Sequence, residues 1–468
     1  MSLIDDLREI VGSNHVLTGA DADRYSIDWM KKYPSTPIAV VRPANTQEVS
    51  QIVKLANVHK TPVVPMGGNT GLTGATQAND AIIISTERMN KIREIRPSAR
   101  VAIVETGTVL SNLHAAVENC DLIFPLTFGA RGSATIGGVL GTNAGGSNVL
   151  RYGNTRDLVL GVEVVLPTGE IMDLMSELHK DNSGYNLRHL IIGSEGTLGI
   201  ITAAVLKLSP KPKAYATAMV AVQSLPAALE LLNKLQQETG GAVEAYEYMP
   251  RHYIDAHLAH FSQARAPFSQ SYDINILVEL GTTTASLAQT NAQGKIILID
   301  QFEQILSDFF DQGAVLDAVV AQNETQRAEM WQRRESAAEL SFQFANIINN
   351  DVAVPLDRVA EFLDCAAIEL SSIDPNFQTF VVSHLGDGNI HYVVSASRDD
   401  AALKNEIMEK VEDIVLRLGG SFSAEHGIGL TKLPSMKRRK DKIALEVMST
   451  IKRALDPNNI MNPGKVLP

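Results

Sequence analysis

The sequence predicts an α+β protein of two or three domains. Its 468 residues exceed what one hydrophobic core normally accommodates, since single cores stop growing near roughly 250 to 300 residues. From about residue 37 to residue 208, short β-branched runs alternate with helical patterns, which predicts a mixed α/β region. The prolines of residues 209–215 interrupt this pattern, and longer helices between further strands then predict an α+β domain with an antiparallel sheet.

The strands of the first region are predicted at IAVVRP, TPVVPMG, AIIIST, VAIVETG, GVEVVLP and GIITAAVLKL, and TQEVSQIVKLANVHK has the period of an amphipathic helix. In the second region ATAMVAVQS, DINILVELG, FVVSHLG and IHYVVSAS predict strands. The long helical patterns there are PAALELLNKLQQETG, QRAEMWQRRESAAELSFQF and DAALKNEIMEKVEDIVLRLGG. We therefore expect a first domain at 1–210, a second at 211–422, and a C-terminal segment, 423–468, that returns to the first.

The composition is that of a globular protein with an acidic surface. Because its net charge of -12 repels phosphate backbones, nucleic acid is not an expected partner. Its apolar runs are far shorter than the roughly 20 residues of a membrane span, so no transmembrane segment is expected. Cys120 and Cys365 form no CxxC pair and the N-terminus lacks an export signal, which together predict a cytoplasmic protein.

Three glycine-rich segments follow predicted strands. The first, PVVPMGGNTGLTGA, can turn successive backbone N–H groups toward phosphate oxygens, although a plain glycine loop is the alternative. It lacks the GK[ST] ending of a Walker A loop and the GxGxxG of a Rossmann turn. The second, FGARGSATIGGVLGTNAGGSNVLRYG, indicates a backbone that lies close against an extended polar group, which a dinucleotide would satisfy. The third is IIGSEGTLGIITAAV.

The stretch SHLGDGNIH places two histidines on either side of a Gly-Asp-Gly tip. If Asp387 and Gly388 form a two-residue type I′ turn, His384 pairs directly with His391. Their Cβ atoms would then lie about 4.5 to 5.5 Å apart, close enough for the imidazoles to share one metal ion. Asn389 would point to the same face. The alternative is a histidine pair that only packs or hydrogen-bonds.

Two other pairs of residues allow a functional interpretation. His257 and His260 have a helical spacing that could chelate a metal, but no carboxylate pattern accompanies them, so a surface helix is favoured. Arg333 and Arg334 are, by residue type alone, expected to be solvated helix charges.

Seven segments occur in the order PMGGNTGL, GSATIGGVLGTNAGG, LVLGVEVVLPTGE, KDNSGYNLRHLIIGSEGTLGIIT, HLGDGNIH, AEHGIG and DPNNIMNPGKV. In this order they resemble the FAD-binding type 4 flavoproteins of the vanillyl-alcohol oxidase superfamily. The chain is most similar to the D-2-hydroxyacid dehydrogenase group, which includes D-2-hydroxyglutarate dehydrogenase, D-lactate dehydrogenase and the glycolate oxidase D subunit. The resemblance implies a two-subdomain FAD-binding domain at 1–210 and an α+β substrate, or cap, domain at 211–422.

The resemblance also implies which residues line the cofactor. Because GGNTG contains neither histidine nor cysteine, we expect the FAD to be bound non-covalently. The residues expected at the FAD are Gly67, Gly68, Asn69, Thr70, Gly71, Leu72, Ser133, Thr135, Ile136, Gly137, Gly138, Asn143, Gly145, Gly196, Ile201 and Asn462.

By the same resemblance, His384, His391 and Glu425 would bind a divalent metal, zinc or manganese, and His426 would be the catalytic acid/base. Arg334 would bind the substrate carboxylate, which suits its planar fork of donors, and Asn389 would help to orient the substrate. Where 2-hydroxyglutarate dehydrogenases carry a threonine and a lysine that contact substrate, this chain has Ala338 and Asn349. A dicarboxylate substrate is therefore in question.

The resemblance implies oxidation of a small D-2-hydroxy acid to the 2-oxo acid. The electrons would pass to an electron-transfer flavoprotein, a quinone or a cytochrome, and a homodimer and a peripheral location at the inner membrane are compatible with it. The alternatives are a flavin oxidase that uses oxygen on an acid such as glycolate, a metal-dependent hydrolase, and a non-catalytic flavin-binding subunit.

Overall fold

The computed structural model describes residues 2–468. Its helices are α1 (Leu3–Val11), α2 (Thr46–His59), α3 (Leu110–Glu118), α4 (Ile136–Thr142), α5 (Val149–Tyr152), α6 (Leu187–Ile191), α7 (Leu225–Glu238), α8 (Arg251–His260), α9 (Ile297–Asp311), α10 (Glu324–Glu335), α11 (Ala337–Ser341), α12 (Val359–Ile373), α13 (Ala401–Arg417), α14 (Leu433–Arg439) and α15 (Lys442–Leu455). Its strands are β1 (Val16–Leu17), β2 (Ala39–Val41), β3 (Val63–Met66), β4 (Ile82–Ser85), β5 (Ile92–Arg96), β6 (Val101–Glu105), β7 (Leu122–Ile123), β8 (Val159–Val165), β9 (Ile171–Leu174), β10 (Ile200–Lys207), β11 (Ser209–Pro210), β12 (Ala214–Val222), β13 (Val243–Pro250), β14 (Ile274–Thr282), β15 (Val315–Val320), β16 (Ile347–Ala353), β17 (Gln378–His384) and β18 (Asn389–Ser395).

These elements form two compact units. The first contains the residues up to Gly145 together with Gly153–Pro210 and Glu425–Pro468, and the second contains Gly146–Tyr152 and Lys211–Ala424. The sequence did not indicate that the short piece Gly146–Tyr152 belongs to the second unit.

The first unit contains two main sheets. Strands β1, β2, β4 and β3 form one in that order, and β5, β6, β10, β8 and β9 form the other, which is antiparallel throughout. Helix α2 begins because the Asn45 side chain accepts a hydrogen bond from the N–H of Glu48. Its buried residues Val49 and Ile52 pack in one core with Ile82 of β4.

The second unit is built on one seven-stranded antiparallel sheet in the order β15, β12, β14, β13, β17, β18, β16. Because side chains alternate between faces along a strand, its two faces bury different residues. Val220 of β12 packs with the core that includes α7, α9, α12 and α13, and Met219 packs with the core that includes α8, α10 and α11. The predicted fold class, α+β with an antiparallel sheet in the second domain, is confirmed.

Two sequence-based expectations about these elements were incomplete. The single long helix predicted over QRAEMWQRRESAAELSFQF is two helices, because Ser336 ends α10 with its hydroxyl on the carbonyl of Arg333. In the seven-stranded sheet, strands β13, β15 and β16 were not predicted. Within residues 2–468, no helix is long and apolar enough to cross a membrane.

Candidate active site and cofactor site

A polar cleft of about 520 Å³ lies in the first unit, where the loop after β3 meets the segment before α4. Of the residues expected at the FAD, the cleft is lined by Gly67, Gly68, Asn69, Ser133 and Thr135. The sequence did not point to the other side chains in its wall, which include Arg24, Tyr25, Glu87, Asn90 and Asn112.

The two glycines after β3 allow the backbone to approach α4 closely. A Cβ on Gly67 would overlap the Thr135 hydroxyl, and one on Gly68 would overlap the carbonyl oxygen of Ser133. Thr135 also begins α4, because its hydroxyl accepts a hydrogen bond from the N–H of Gly138. The first unit therefore has a cradle that side chains would fill, which fits a dinucleotide bound along its backbone.

All the other predicted FAD residues also lie in the first unit, but they differ in what they contact. Asn143 ends α4 in the left-handed conformation, and its side-chain oxygen accepts from the N–H of Arg156. Asn462 donates to the carbonyl oxygens of Ala75 and Glu195, while its own buried side-chain oxygen has no partner among residues 2–468. The roles of these residues at the FAD stay predictions.

The predicted pairing of the histidine hairpin was wrong. His384 pairs with Asn389, and His391 pairs with Val382, so residues 385–388 form a four-residue loop. The N–H groups of Asp387 and Gly388 both donate to the carbonyl of His384, which closes that loop. The four-residue loop moves the register by two positions, which keeps each side chain on its predicted face. The two imidazoles therefore still share a face, as diagonal neighbours with ring centroids 5.3 Å apart.

Glu247 fixes the orientation of both His384 and Arg334. It lies on β13, directly opposite His384, and is fully buried. One carboxylate oxygen contacts Nδ1 of His384 at 2.8 Å, and the other accepts a hydrogen bond from Nε of Arg334 at 2.7 Å. Burial alone would raise the pKa of Glu247, but the charges of His384 and Arg334 outweigh it and hold that pKa below its ordinary value. Since a carboxylate only accepts, Nδ1 of His384 carries a proton, and in the neutral ring the lone pair is therefore on Nε2.

Asp351 occupies the corresponding position on the other side of the hairpin. It lies on β16, opposite His391, and its carboxylate is 3.7 Å from Nδ1 of that histidine. Its Oδ1 accepts a hydrogen bond of 3.0 Å from the Asn389 amide, which also donates to the carbonyl of Val352. The side-chain oxygen of Asn389 is buried and has no partner in the described part of the chain. The second unit therefore brings Arg334, His384, Asn389 and His391 to one face of its sheet.

Sequence reasoning missed Glu247 and Asp351 because it missed the strands that carry them. The signal was present in VEAYEYMP and IINNDVA, whose aromatic and β-branched residues are typical of strands. Arg333 and Arg334 are both buried, so the interpretation as a solvated charge was wrong for Arg333, and for Arg334 the residue type alone would have misled in the same way. Arg333 donates to the carbonyl of Arg265.

The remaining candidate residues are the histidine pair on α8 and the two positions that differ from 2-hydroxyglutarate dehydrogenases. His257 is buried against Ser336, and burial lowers its pKa to about 4, whereas His260 contacts Glu339 near the surface. Ala338 on α11 and Asn349 on β16 are both exposed.

Glu425 and His426 belong to the first unit, in the turn that precedes α14. The Glu425 carboxylate lies against the backbone of Gly145, where a Cβ would overlap it. The carbonyl oxygen of His426 accepts a hydrogen bond of 3.3 Å from the hydroxyl of Thr73.

Comparison with known proteins identifies the family of the chain. A family model described as "FAD binding domain" matches residues 37–175, and one described as "FAD linked oxidases, C-terminal domain" matches residues 211–466. The chain belongs to this family of FAD-linked oxidases. Within it, this flavoprotein belongs to the D-2-hydroxyacid dehydrogenase group.

The dehydrogenase is similar along its whole length to curated enzymes. A D-2-hydroxyglutarate dehydrogenase of Xanthomonas citri pv. viticola is 34% identical over 453 residues, which cover 96% of this chain and 93% of that one. The enzyme of the same name from Stutzerimonas stutzeri is 34% identical, with 99% and 98% covered. A D-2-hydroxyglutarate–pyruvate transhydrogenase of Saccharomyces cerevisiae is 30% identical, with 98% and 93% covered.

Solved structures share the fold of the dehydrogenase at low sequence identity. Substrate-bound p-cresol methylhydroxylase superposes with a TM-score of 0.74 at 18% identity, and 99% of this chain and 96% of that one are covered. An alkyldihydroxyacetonephosphate synthase gives a TM-score of 0.73, also at 18% identity, with 99% and 86% covered.

Proposed function

We propose that the protein oxidises a D-2-hydroxy acid to the 2-oxo acid with the assistance of a divalent metal, and that a separate acceptor reoxidises the flavin. The observation that carries this proposal is the polar row on one face of the seven-stranded sheet. There a buried carboxylate holds His384 by Nδ1, His391 lies diagonally across, and Arg334 lies beside them. A histidine oriented by a carboxylate is the common form of a metal-ligating histidine.

Zinc or manganese suits these donors. His384 and His391 would supply nitrogen ligands, and Glu425 would add the carboxylate that the family resemblance implies. Asp351 lies opposite His391 and is a further candidate for the carboxylate. When bound, the ion supplies Lewis acidity that stabilises negative charge on the substrate hydroxyl oxygen.

The residues of the chain would place the substrate and move its proton. Arg334 has more N–H donors than Glu247 takes, so it can also bind the substrate carboxylate. Asn389 would orient the acid, and an imidazole nitrogen of His426 would accept the hydroxyl proton. The Cα–H bond then breaks as the C=O bond forms. Non-covalent FAD, which Gly67, Gly68 and Thr135 would help to hold, would supply the hydride acceptor, so that the product would be the 2-oxo acid.

Two observations bear on the substrate. The names of the relatives support D-2-hydroxyglutarate, a dicarboxylate. Ala338 and Asn349 carry no charge for a second carboxylate, which supports a monocarboxylate such as D-lactate. The electron acceptor is an electron-transfer flavoprotein, a quinone or a cytochrome.

The test is an anaerobic screen of D-lactate, D-2-hydroxyglutarate, D-malate and glycolate for bleaching of the flavin absorbance, with the L-enantiomers as controls. At least one D-acid should bleach the flavin. His426→Ala should slow that step about 100-fold or more, because a general base typically contributes that much. The exposed His59→Ala should not slow it.

Three results would contradict the proposal. Purified protein without flavin absorbance would exclude the redox reaction, and unchanged flavin reduction in His426→Ala would exclude that base. Stoichiometric peroxide release during aerobic turnover would instead identify an oxidase.

A further inference from the structure

Glu195, in the GSEG segment that follows α6, has a backbone conformation that is costly for its residue type. Its φ is +52°, in the left-handed region, between Gly193 and Gly196, which have φ values of +85° and +73°. A glycine would adopt this conformation without steric cost, whereas a glutamate needs compensating contacts. Such strain concentrates at functional positions, where surrounding contacts hold it. The side chain is buried, with 7% of its residue surface exposed.

The carboxylate of Glu195 is held by the loop that carries His426. One oxygen accepts a hydrogen bond from the N–H of Ile428 at 2.7 Å, and the other accepts from Gly429 at 2.8 Å. Hydrogen bonds from N–H groups to a charged oxygen are roughly twice as strong as neutral ones. The carboxylate also packs against Gly427. A Cβ on that residue would lie 2.6 Å from the carboxylate, so glycine leaves room for it. The side chain thus binds the backbone just after His426.

The backbone of Glu195 is held by the predicted flavin-lining helix. Its N–H donates to the carbonyl of Gly141 at 2.8 Å, and the N–H of Gly193 donates to that of Leu140 at 2.9 Å. Both carbonyls belong to the last turn of α4, which no further turn of helix follows, although that of Leu140 also accepts from the N–H of Asn143. One residue therefore bonds the end of α4 through its backbone and the His426 loop through its side chain.

We propose that Glu195 is a positioning residue that fixes His426 relative to the flavin-binding helix α4. This inference rests on the proposed role of His426 as the base. Thr73 supports the same loop independently, because its hydroxyl donates to the carbonyl of His426 and its own carbonyl accepts from the N–H of Leu430.

The test uses FAD-loaded Glu195→Gln, whose amide presents a donor to one of the two N–H groups in place of an acceptor. Flavin reduction by the D-acid found in the screen should slow about 10- to 100-fold, since a displacement of about 1 Å can cost that much. FAD content should not change. The matched control is Glu105→Gln, a buried carboxylate of the same unit that accepts a backbone N–H from Lys91 and should keep the rate.

A double-variant comparison separates positioning from a general structural role. If Glu195 acts through His426, adding Glu195→Gln to His426→Ala should slow flavin reduction no further. An equal slowing in both backgrounds, or none in the single variant, would overturn the proposal. If Glu195→Gln does not fold, Glu195→Asp, whose shorter side chain withdraws the carboxylate from the N–H groups of Ile428 and Gly429, is compared in the same way and decides. Unchanged reduction in His426→Ala alone would instead reject the proposed base.

Discussion

A single buried carboxylate determines how His384 can act. Because Glu247 accepts a hydrogen bond from Nδ1–H, only Nε2 of the neutral ring has a lone pair for a metal, and the ring cannot turn without losing that bond. The same carboxylate binds Nε of Arg334, so the residue expected to bind substrate and the residue expected to bind metal share one support. A substitution of Glu247 should therefore alter both the histidine expected to bind metal and the arginine expected to bind substrate.

Glu247→Gln should lower metal affinity about 10- to 100-fold, because the amide no longer fixes the tautomer and charge of His384. The measurement is competition titration of zinc against a chromogenic chelator. Glu279→Gln is the matched control, since Glu279 is a buried carboxylate of the same sheet that pairs with Arg327 and touches no histidine. Both variants should lose stability, as broken buried ion pairs do. Equal metal affinity in the two variants would show that Glu247 does not support a metal site.

At the scale of elements, strands β17 and β18 place His384 and His391 on one face of the sheet, and the four-residue loop between the strands sets their register. The tip of this loop is held by the residue that follows β16, since the N–H of Val354 donates to the carbonyl of Gly388. Gly388 has a φ of +84°, and a Cβ there would overlap the carbonyl oxygen of Val354. Both the backbone angle and the space therefore require glycine.

Gly388→Ala should destabilise the protein by about 1 to 2 kcal/mol for the left-handed angle and by about a further 1 to 3 kcal/mol for the overlap. Gly294→Ala tests the angle alone, because Gly294 has a φ of +79° with open space around its Cβ position. The midpoint of urea unfolding should fall for both variants, and further for Gly388→Ala. Equal midpoints would mean that the loop moves away from β16 at little cost.

The sequence was informative where one residue type determines local structure. Strands such as β4 and β10 follow from their apolar runs. The common face of His384 and His391 follows from the period of two along a strand. The hairpin register did not, because a Gly-Asp-Gly tip accommodates a two-residue or a four-residue loop. The partners of His384 and Arg334 were hidden for a different reason: Glu247 lies 87 residues from Arg334 and 137 from His384, and only the pairing of β13 with β17 joins them.

At the scale of the whole molecule, the expected cofactor residues and the histidine pair belong to different compact units. The residues expected at the FAD all lie in the first unit, as does His426. His384, His391 and Arg334 lie in the second, so that of the three expected metal ligands only Glu425 lies in the first. Each unit has its own hydrophobic core, so each can keep its structure when a ligand of the other is removed.

This division predicts that metal and flavin can be removed separately. Dialysis against a chelator should abolish bleaching of the flavin by the D-acid, because negative charge on the substrate is no longer stabilised. The FAD should stay bound, because the cradle at Gly67 and Gly68 involves no metal ligand. The measurements are metal analysis, the flavin-to-protein absorbance ratio after gel filtration, and anaerobic bleaching. Added zinc or manganese should restore bleaching without added FAD. Loss of FAD with the metal would contradict separate binding, and bleaching that survives complete metal removal would show that the oxidation needs no metal.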